Sequence, residues 1–276
     1  MKIITLTTDF GEKDYSAGAV KGALYAAMPD IRIVDISHSI SPFDILQTAY
    51  VLKNAYPHFP KGSIHIIGVD AEKTPEKRHL VMKHNGHYFI GADNGIFHLI
   101  ANNNPQSEIF EIHSEEAPNC FPTLYDFPKI TAQLCKGFPI ETLGNRFDDY
   151  YRMTNVRAEV NNNRKVIEGH IIYIDHYGNA VSNISRELFE EVNQNRPYEI
   201  FFNSYKFNKI HKTYSHIINF SIPKTKRSYP EGKEVVLFNS EGLLELAVYK
   251  SNMQNVGGAA TLFGLKYLDK VSVHFG

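Results

Sequence analysis

The run Lys2-Ile3-Ile4-Thr5-Leu6-Thr7-Thr8, closed by Asp9-Phe10-Gly11 and followed by an Ala- and Leu-rich segment from Ala17 to Met28, decides the fold class. Lys2 to Thr8 alternates apolar side chains with threonine, a pattern that predicts a strand. Asp9 to Gly11 carries turn chemistry, and the segment beyond it has helical spacing. Downstream, Ile31 to Ile36 is a β-branched strand ending at Asp35 and Ile36. Asp44 to Ala55 predicts a helix with Ile45, Thr48, Ala49 and Leu52 on one face, and Ser63 to Val69 is a third strand. The order β-α-β-α-β predicts an α/β fold built on a mostly parallel sheet with helices outside it. Open sheets of that kind take ligands beyond the carboxyl ends of their strands, where Asp9 and Asp70 fall.

Working outward, Leu80 to Lys83 and His87 to Ile90 read as a hairpin turned at Asn85-Gly86, and Ile130 to Lys136 as a short helix closed by Gly137. Between Leu143 and Asn163 the composition shifts to Asn, Asp, Arg and Tyr, and Asn161-Asn162-Asn163 reads as a connection. We therefore expect an N-terminal α/β domain over 1–152, a linker over 153–164 and a C-terminal domain over 165–276. The last contains short strands at Lys165 to Ile174, Tyr198 to Phe202, Glu234 to Asn239, Leu243 to Val248 and Lys270 to Phe275. Gly, Pro and Asn break them and helical patterning is scarce, which predicts an all-β domain.

The 276 residues suffice for one large domain or two compact ones, and 43% apolar with 21% charged residues is the balance of a soluble globular protein. Lys and Arg number 29 against 30 Asp and Glu. A net charge of -1 offers no broad positive surface, so neither nucleic acid nor a membrane is expected as a partner. Cys120 and Cys135 form no CxxC pair, which suggests reduced thiols in a cytoplasmic protein. No stretch approaches ~18 uncharged apolar residues, so no targeting step or membrane span is expected.

Four segments could carry chemistry. Asp9, at a strand end and followed by Gly11, can accept two hydrogen bonds from a ribose diol, and equally it can cap the next helix. Neither GxGxxG nor GxxxxGK[ST] occurs, which disfavours a dinucleotide or a nucleoside triphosphate. Asp70, in Gly68-Val69-Asp70, has Lys73, Lys77 and Arg78 near enough in sequence to keep it ionised; an ion-paired loop carboxylate is the alternative. In Ile174 to Asn183, Asp175 could hold an ammonium group and Asn179 could read an adenine edge, or the cluster is a bulged turn. Asn239 and Ser240, in Phe238 to Gly242, and the stretch Asn252 to Ala260 that includes Ala259 supply small residues and free backbone groups. A flat ligand could approach there, and tight β-turns need the same residues. The thirteen histidines show no HExxH spacing, so no metal is assigned, and the lack of GxSxG argues against a serine hydrolase.

Six segments, TTDFG, DISHSISPFD (35–44), GVD (68–70), ADNG (92–95), IDHYGNAVSNI (174–184) and FNSEGLLELAV with NVGGAA, resemble in order and spacing the S-adenosyl-L-methionine (SAM) hydroxide adenosyltransferase family, also called the SAM-dependent chlorinase/fluorinase family. The resemblance implies a Rossmann-like N-terminal domain, a C-terminal β-barrel and a homotrimer with SAM held between the N-domain of one subunit and the C-domain of its neighbour. It also implies that Asp9 holds the ribose hydroxyls, Asp175 the methionine amino group, Asn179 the adenine and Ser240 the methionine carboxylate. Asp70 stands where the hydrolytic members place an Asp beside the attacking water. Their usual Arg position is occupied by Lys77, with Arg78 one residue later, and their usual His position by Pro122; Asp70 is expected to orient or deprotonate the water, and Arg78, or Lys77, to fix its carboxylate. The activity implied is SAM hydrolysis to adenosine and methionine, with SAM as substrate and no cofactor. A SAM-binding protein with weakened turnover, a halogenase and a different nucleoside hydrolase are the alternatives.

Overall fold

A computed structural model of the chain describes residues 2–113, 119–154, 156–161, 163–251 and 257–276. Two compact units divide between Asn155 and Val156, inside the segment expected as a linker.

In the first unit, β1 (Lys2–Thr8), α1 (Ser16–Ala27), β2 (Ile31–Ser37), α2 (Ile45–Ala55) and β3 (Ile64–Gly68) follow the predicted alternation. β1 pairs in parallel with β2 and β3, and its register places Thr8 opposite Gly68. The loops that leave β1 and β3 therefore start side by side. α2 starts where Asp44 caps it, its side chain accepting from the Gln47 N–H, and buries Ile45, Thr48, Ala49 and Leu52, the face read from the sequence. The hairpin of β4 (His79–His84) and β5 (His87–Ala92) turns at Asn85 and Gly86, both with positive φ, as a two-residue connection requires. α3 (Ile96–Ala101), β6 (Glu108–Ile112), α4 (Pro122–Tyr125), α5 (Phe127–Cys135) and β7 (Gly144–Arg146) complete the unit.

The strand order is β2-β1-β3-β5-β4-β6-β7. The β1–β2, β1–β3 and β3–β5 pairings are parallel, whereas β4–β5, β4–β6 and β6–β7 are antiparallel. The sheet is thus mixed rather than mostly parallel. The physical reason is that β5 returns from a tight hairpin, not a helical crossover, so the half beyond it runs antiparallel. Ile4, Leu6, Val20, Leu24, Ile66 and Phe127 pack on one side of this sheet, and Leu52, Ile67, Leu80, Met82, Phe89 and Phe97 on the other.

The second unit contains β8 (Glu159–Val160), β9 (Val166–Ile174), β10 (Ala180–Ser185), α6 (Arg186–Asn193), β11 (Tyr198–Phe202), β12 (Tyr205–Phe207), β13 (Glu234–Phe238), β14 (Leu243–Val248), α7 (Ala259–Leu262) and β15 (Lys270–Phe275). All pairings are antiparallel in the order β12-β11-β15-β9-β10-β14-β13, with β8 on β9. The pairing of β8 makes Glu159 and Val160 part of this sheet rather than of a free linker. Of the Asn161–Asn163 connection, Asn162 lies outside the described residues. A single bridge from His211 to Leu237, with the His211 N–H donating to the Val236 carbonyl at 2.7 Å, links the chain beyond β12 to β13 and nearly closes the sheet into a barrel. Its interior holds Ile167, Ile171, Ile184, Phe202, Leu244 and Val271. The unit is not purely β. Ser185 caps α6, accepting from the Leu188 N–H, and Phe189 and Val192 bury its apolar face.

Candidate active site

In the first unit the site begins at the carboxyl ends of β1 and β3. A Cβ placed on Gly68 would meet Thr8 Cγ2 at 3.0 Å, Phe10 Cζ at 3.1 Å and Thr123 Cγ2 at 3.1 Å. Two loop starts and α4 therefore converge on a backbone position with little room for a side chain. Two residues on, Asp70 adopts left-handed backbone (φ 45°), a conformation Asp tolerates better than most residues. Asn94 holds it there, its Nδ2 donating to the carbonyls of Val69 (3.1 Å) and Asp70 (3.3 Å). The ADNG segment thus stitches the end of β5 to the end of β3. Its one acid, Asp93, accepts from the Tyr151 N–H, and burial raises its pKa above the ordinary carboxylate value.

Lys77 Nζ donates to Asp70 Oδ1 at 2.5 Å. A tight turn, in which Thr74 and Lys77 exchange backbone hydrogen bonds and the Lys77 N–H also reaches Thr74 Oγ1, brings the ammonium back to the carboxylate. Arg78 does not share this role. Its Nη1 donates to Glu111 Oε2 at 2.5 Å and its guanidinium lies 4.9 Å from the centre of the Phe147 ring. The turn ends at Lys77, and the chain leaves it toward β4 with Arg78 directed to Glu111 and Phe147 instead of Asp70. His79 anchors the far end of the same loop, Nε2 donating to the Ala71 carbonyl at 2.9 Å. Burial is the main reason that the His79 pKa lies below the usual imidazole value.

Asp9 accepts from the Phe43 N–H through Oδ2 at 2.9 Å, with Phe43 in left-handed backbone and its ring exposed. The loop after β2 is held against it. The Gly11 N–H donates to the His38 carbonyl, Thr8 Oγ1 and His38 Nδ1 share a 2.7 Å hydrogen bond, and Asp35 Oδ1 lies 3.2 Å from His38 Nε2. Asp35 is itself paired with Lys21. This chain behind Asp9 was not read from the sequence, although DISH spells two of its members. Pro122 is the buried first residue of α4, and Phe121 packs edge-on against Phe10 at 5.4 Å. Its position supplies shape and no titratable group.

In the second unit Asp175 and Asn179 open and close one turn. Asp175 Oδ1 accepts from the N–H groups of Tyr177 and Asn179, and its Oδ2 accepts from Asn179 Nδ2, each at 2.8 Å. Both residues line a cleft of about 410 Å³ together with Tyr177, Tyr214, Tyr249 and Ser251. The turn expected from the sequence is present, and it forms part of a cleft wall. Three bonds fix the Asp175 carboxylate at the cleft wall, and Asn179 spends its amide Nδ2 and its backbone N–H on that carboxylate. Gly258 explains why small residues follow, since a Cβ there would come within 2.3 Å of the Tyr177 carbonyl, and the Ala260 N–H donates to the Gly178 carbonyl at 2.8 Å. Ala259 is fully buried at the start of α7. Residues 252–256 of that stretch lie outside the described residues. Asn239 organises the β13–β14 turn, its Oδ1 accepting from the N–H groups of Glu241 and Leu243 at 3.0 Å, and Ser240 is exposed at the turn. Neither Asn239, Ser240 nor Ala259 lines the cleft of Asp175.

One buried acid of this unit escaped the sequence reading. Glu245, on β14 and 2% exposed, accepts from Tyr214 Oη at 2.9 Å. Burial raises its pKa, and the charge of Asp175 adds to the rise. Its position between two leucines in an apolar strand was the available signal.

Residues 4–144 match the SAM hydroxide adenosyltransferase N-terminal domain and residues 169–272 the C-terminal domain. The chain belongs to the SAM hydroxide adenosyltransferase family. It is 30% identical to the (R)-S-adenosyl-L-methionine hydrolase of Methanocaldococcus jannaschii, over 99% of this chain and 96% of that one, and 26% identical to the enzyme of the same name from Thermus thermophilus, over 96% and 97%. The fluorinase of Nocardia brasiliensis is 24% identical over 69% of this chain and 73% of its own. Among solved structures, an uncharacterized conserved protein from Thermotoga maritima superposes with a TM-score of 0.80 at 25% identity, covering 99% of both chains.

Proposed function

We propose that this protein is a SAM hydrolase that forms adenosine and L-methionine. The observation that carries the reading is the Asp70 carboxylate, fixed at the end of β3 by a 2.5 Å contact with Lys77, in a chain whose full-length relatives include two SAM hydrolases.

SAM is already an activated electrophile, because its sulfonium draws electrons from C5′ of the ribose. In the proposed step a water oxygen forms the new bond to C5′ as the C5′–S bond breaks. The bonding pair stays on sulfur and gives neutral methionine, and the water proton passes to Asp70 or to solvent. No leaving-group acid and no cofactor is required. The protein's task is to hold the oxygen in line behind C5′ at roughly 3 Å, and positioning of that kind lowers barriers by ~7–11 kcal/mol. Asp70 orients the water and accepts its proton, while Lys77 fixes the carboxylate. Asp9 and Asp175 are assigned to the ribose hydroxyls and the methionine ammonium, Asn179 with the backbone beside Ala259 to the adenine, and Ser240 with Asn239 to the methionine carboxylate. A halide in place of water would face the Asp70 charge, which disfavours halogenation.

The finer assembly belongs to the same proposal: a Rossmann-like first domain, a barrel-like second one, and a homotrimer in which the N-domain residues of one subunit and the C-domain residues of its neighbour enclose SAM. A second reading, a SAM-binding protein with weakened turnover, is favoured by Pro122, which supplies no imidazole at the position where the family resemblance implies a His. Chromatography separates the two. Adenosine accumulating from SAM with wild type and lost in Asp70→Asn supports the hydrolase, whereas saturable SAM binding without product supports the binding protein.

A further inference from the structure

The near-closure of the second unit leaves a second cleft, of about 350 Å³, at the seam between β12 and β13. It is separate from the one lined by Asp175. Its wall includes Lys206, Lys209, His211, His216 and Lys233, with Glu234 as the one acid. Lys206 is paired with Glu199 at 2.6 Å, but among the described residues neither Lys209 nor Lys233 has an ion-pair partner. His211 and His216 meet edge to face at 5.4 Å, and His211 Nδ1 is buried with no hydrogen-bond partner among the described residues. Cationic groups gathered around one space repel one another, and they persist at lowest cost where an anion joins them. The same proximity acts on the His211 pKa. Burial lowers it most, and Lys209, His216 and Lys233 each lower it further.

The surrounding sequence is equally one-sided. Between Tyr205 and Lys233 the chain carries Lys206, Lys209, Lys212, Lys224, Lys226, Arg227 and Lys233 against the single acid Glu231, in a protein whose net charge is -1. The excess positive charge is concentrated in this one connection and its flanks.

We propose that the seam cleft binds a small phosphate-bearing molecule. A lysine ammonium is a compact point charge well suited to phosphate oxygens, and an imidazole N–H adds a directional donor. Two unpaired ammonium groups beside two imidazoles match a phosphate dianion better than a singly charged carboxylate. Phe207, Ile217 and Val236 line the rest of the cleft and offer an apolar wall to an organic substituent. The volume falls at the lower end of the range for small-molecule pockets, which favours a phosphomonoester over a polymer.

The test uses the full chain in chloride buffer at fixed ionic strength. Inorganic phosphate and phenyl phosphate are titrated separately by calorimetry, with thermal unfolding in parallel. The expected result is saturable binding, tighter for phenyl phosphate if the apolar wall is used and equal for both if the phosphate alone is recognised. It weakens at least ~10-fold in Lys209→Gln/Lys233→Gln, because two charge-assisted contacts are lost, and is unchanged in Lys226→Gln. The double variant should also unfold at a higher temperature than wild type without ligand, since two repelling charges are gone. A titration that does not saturate, or one affected equally by all three lysine substitutions, makes the basic surface a screened charge cluster and overturns the proposal. So does preferential binding of a single-stranded oligonucleotide that Lys226→Gln weakens as much as the cleft variants. None of these outcomes involves SAM, so the hydrolase reading stands or falls separately.

Discussion

At the residue scale, the deciding detail is which of two adjacent cations serves Asp70. The sequence offered Arg78, or Lys77, as the cation that fixes Asp70; the fold separates them, Lys77 on Asp70 and Arg78 on Glu111 and Phe147. We therefore expect Lys77→Gln to lower the rate of adenosine formation by ~10-fold or more, within the range contributed by groups that support a general base. Arg78→Gln should leave that rate nearly unchanged, because its exposed ion pair contributes little even to stability. Steady-state kinetics of the two variants checks this, and the reverse pattern would move the role to Arg78. The same comparison shows what the sequence could tell. It placed Asp9, Asp70, Asp175 and Asn179 at strand ends and turns, because turn chemistry and periodicity are local. It could not tell where side chains go once the loops fold back. That Asn179 donates to Asp175, that Thr8 meets His38 and that Asn94 ties Asp70 down are contacts between segments far apart in sequence or dependent on rotamer.

At the scale of elements, the strands with plain alternation and the helix α2 were legible to within a residue or two, and β10 was not. Its residues Asn183, Ser182 and Ala180 look like a polar turn, and a register shift against β9 between Val181 and Ser182 breaks the alternation on which the reading relied. The turn that precedes β10 makes a sharp prediction. Gly258→Ala must displace the Tyr177 carbonyl, so it should weaken SAM binding in calorimetry while leaving the pH dependence of turnover unaltered. A second prediction concerns β1, β3 and β5 away from the candidate site. Thr5 Oγ1 and His65 Nδ1 share a 2.7 Å hydrogen bond, His65 Nε2 lies 3.1 Å from His87 Nδ1, and the His65 ring stacks on Phe89. Burial, reinforced by the neighbouring His87, lowers the His65 pKa to about 3, and burial lowers those of His84 and His87 as well. The unfolded chain therefore binds protons below the ordinary imidazole value near 6.5 that the folded chain refuses. This stabilising contribution is complete above that pH and is lost on acidification toward 3, at up to ~1.4 kcal/mol per pH unit per proton. Thermal unfolding midpoints should fall steadily from neutral pH to pH 4, with a shallower fall in His65→Phe. A midpoint independent of pH over that interval would contradict the neutral buried cluster.

At the scale of the whole molecule, the alternating opening was enough to predict an α/β first unit, and the short strands a β-rich second one. The β4–β5 hairpin was legible at Asn85-Gly86, but the strands that extend the antiparallel half were hidden because β6 and β7 are short and α3 has only six residues, too few for a period to register. The composition shift pointed to a connection over 153–164, whereas the chain before Val156 still belongs to the first unit, with Phe147, Tyr150 and Met153 packed against its core. If the site is shared between subunits as proposed, analytical ultracentrifugation should find a trimer, and SAM should raise its thermal stability by mass action. A monomer that turns over SAM at full rate would remove the shared-site geometry.

The most direct measurement of the central claim is the fate of the water oxygen. SAM is incubated with the protein in water labelled with heavy oxygen, and the adenosine formed is weighed by mass spectrometry. The account predicts adenosine carrying the label at its 5′-hydroxyl from wild type and none from Asp70→Asn. Unlabelled adenosine, or labelled adenosine formed as readily by Asp70→Asn, would contradict it.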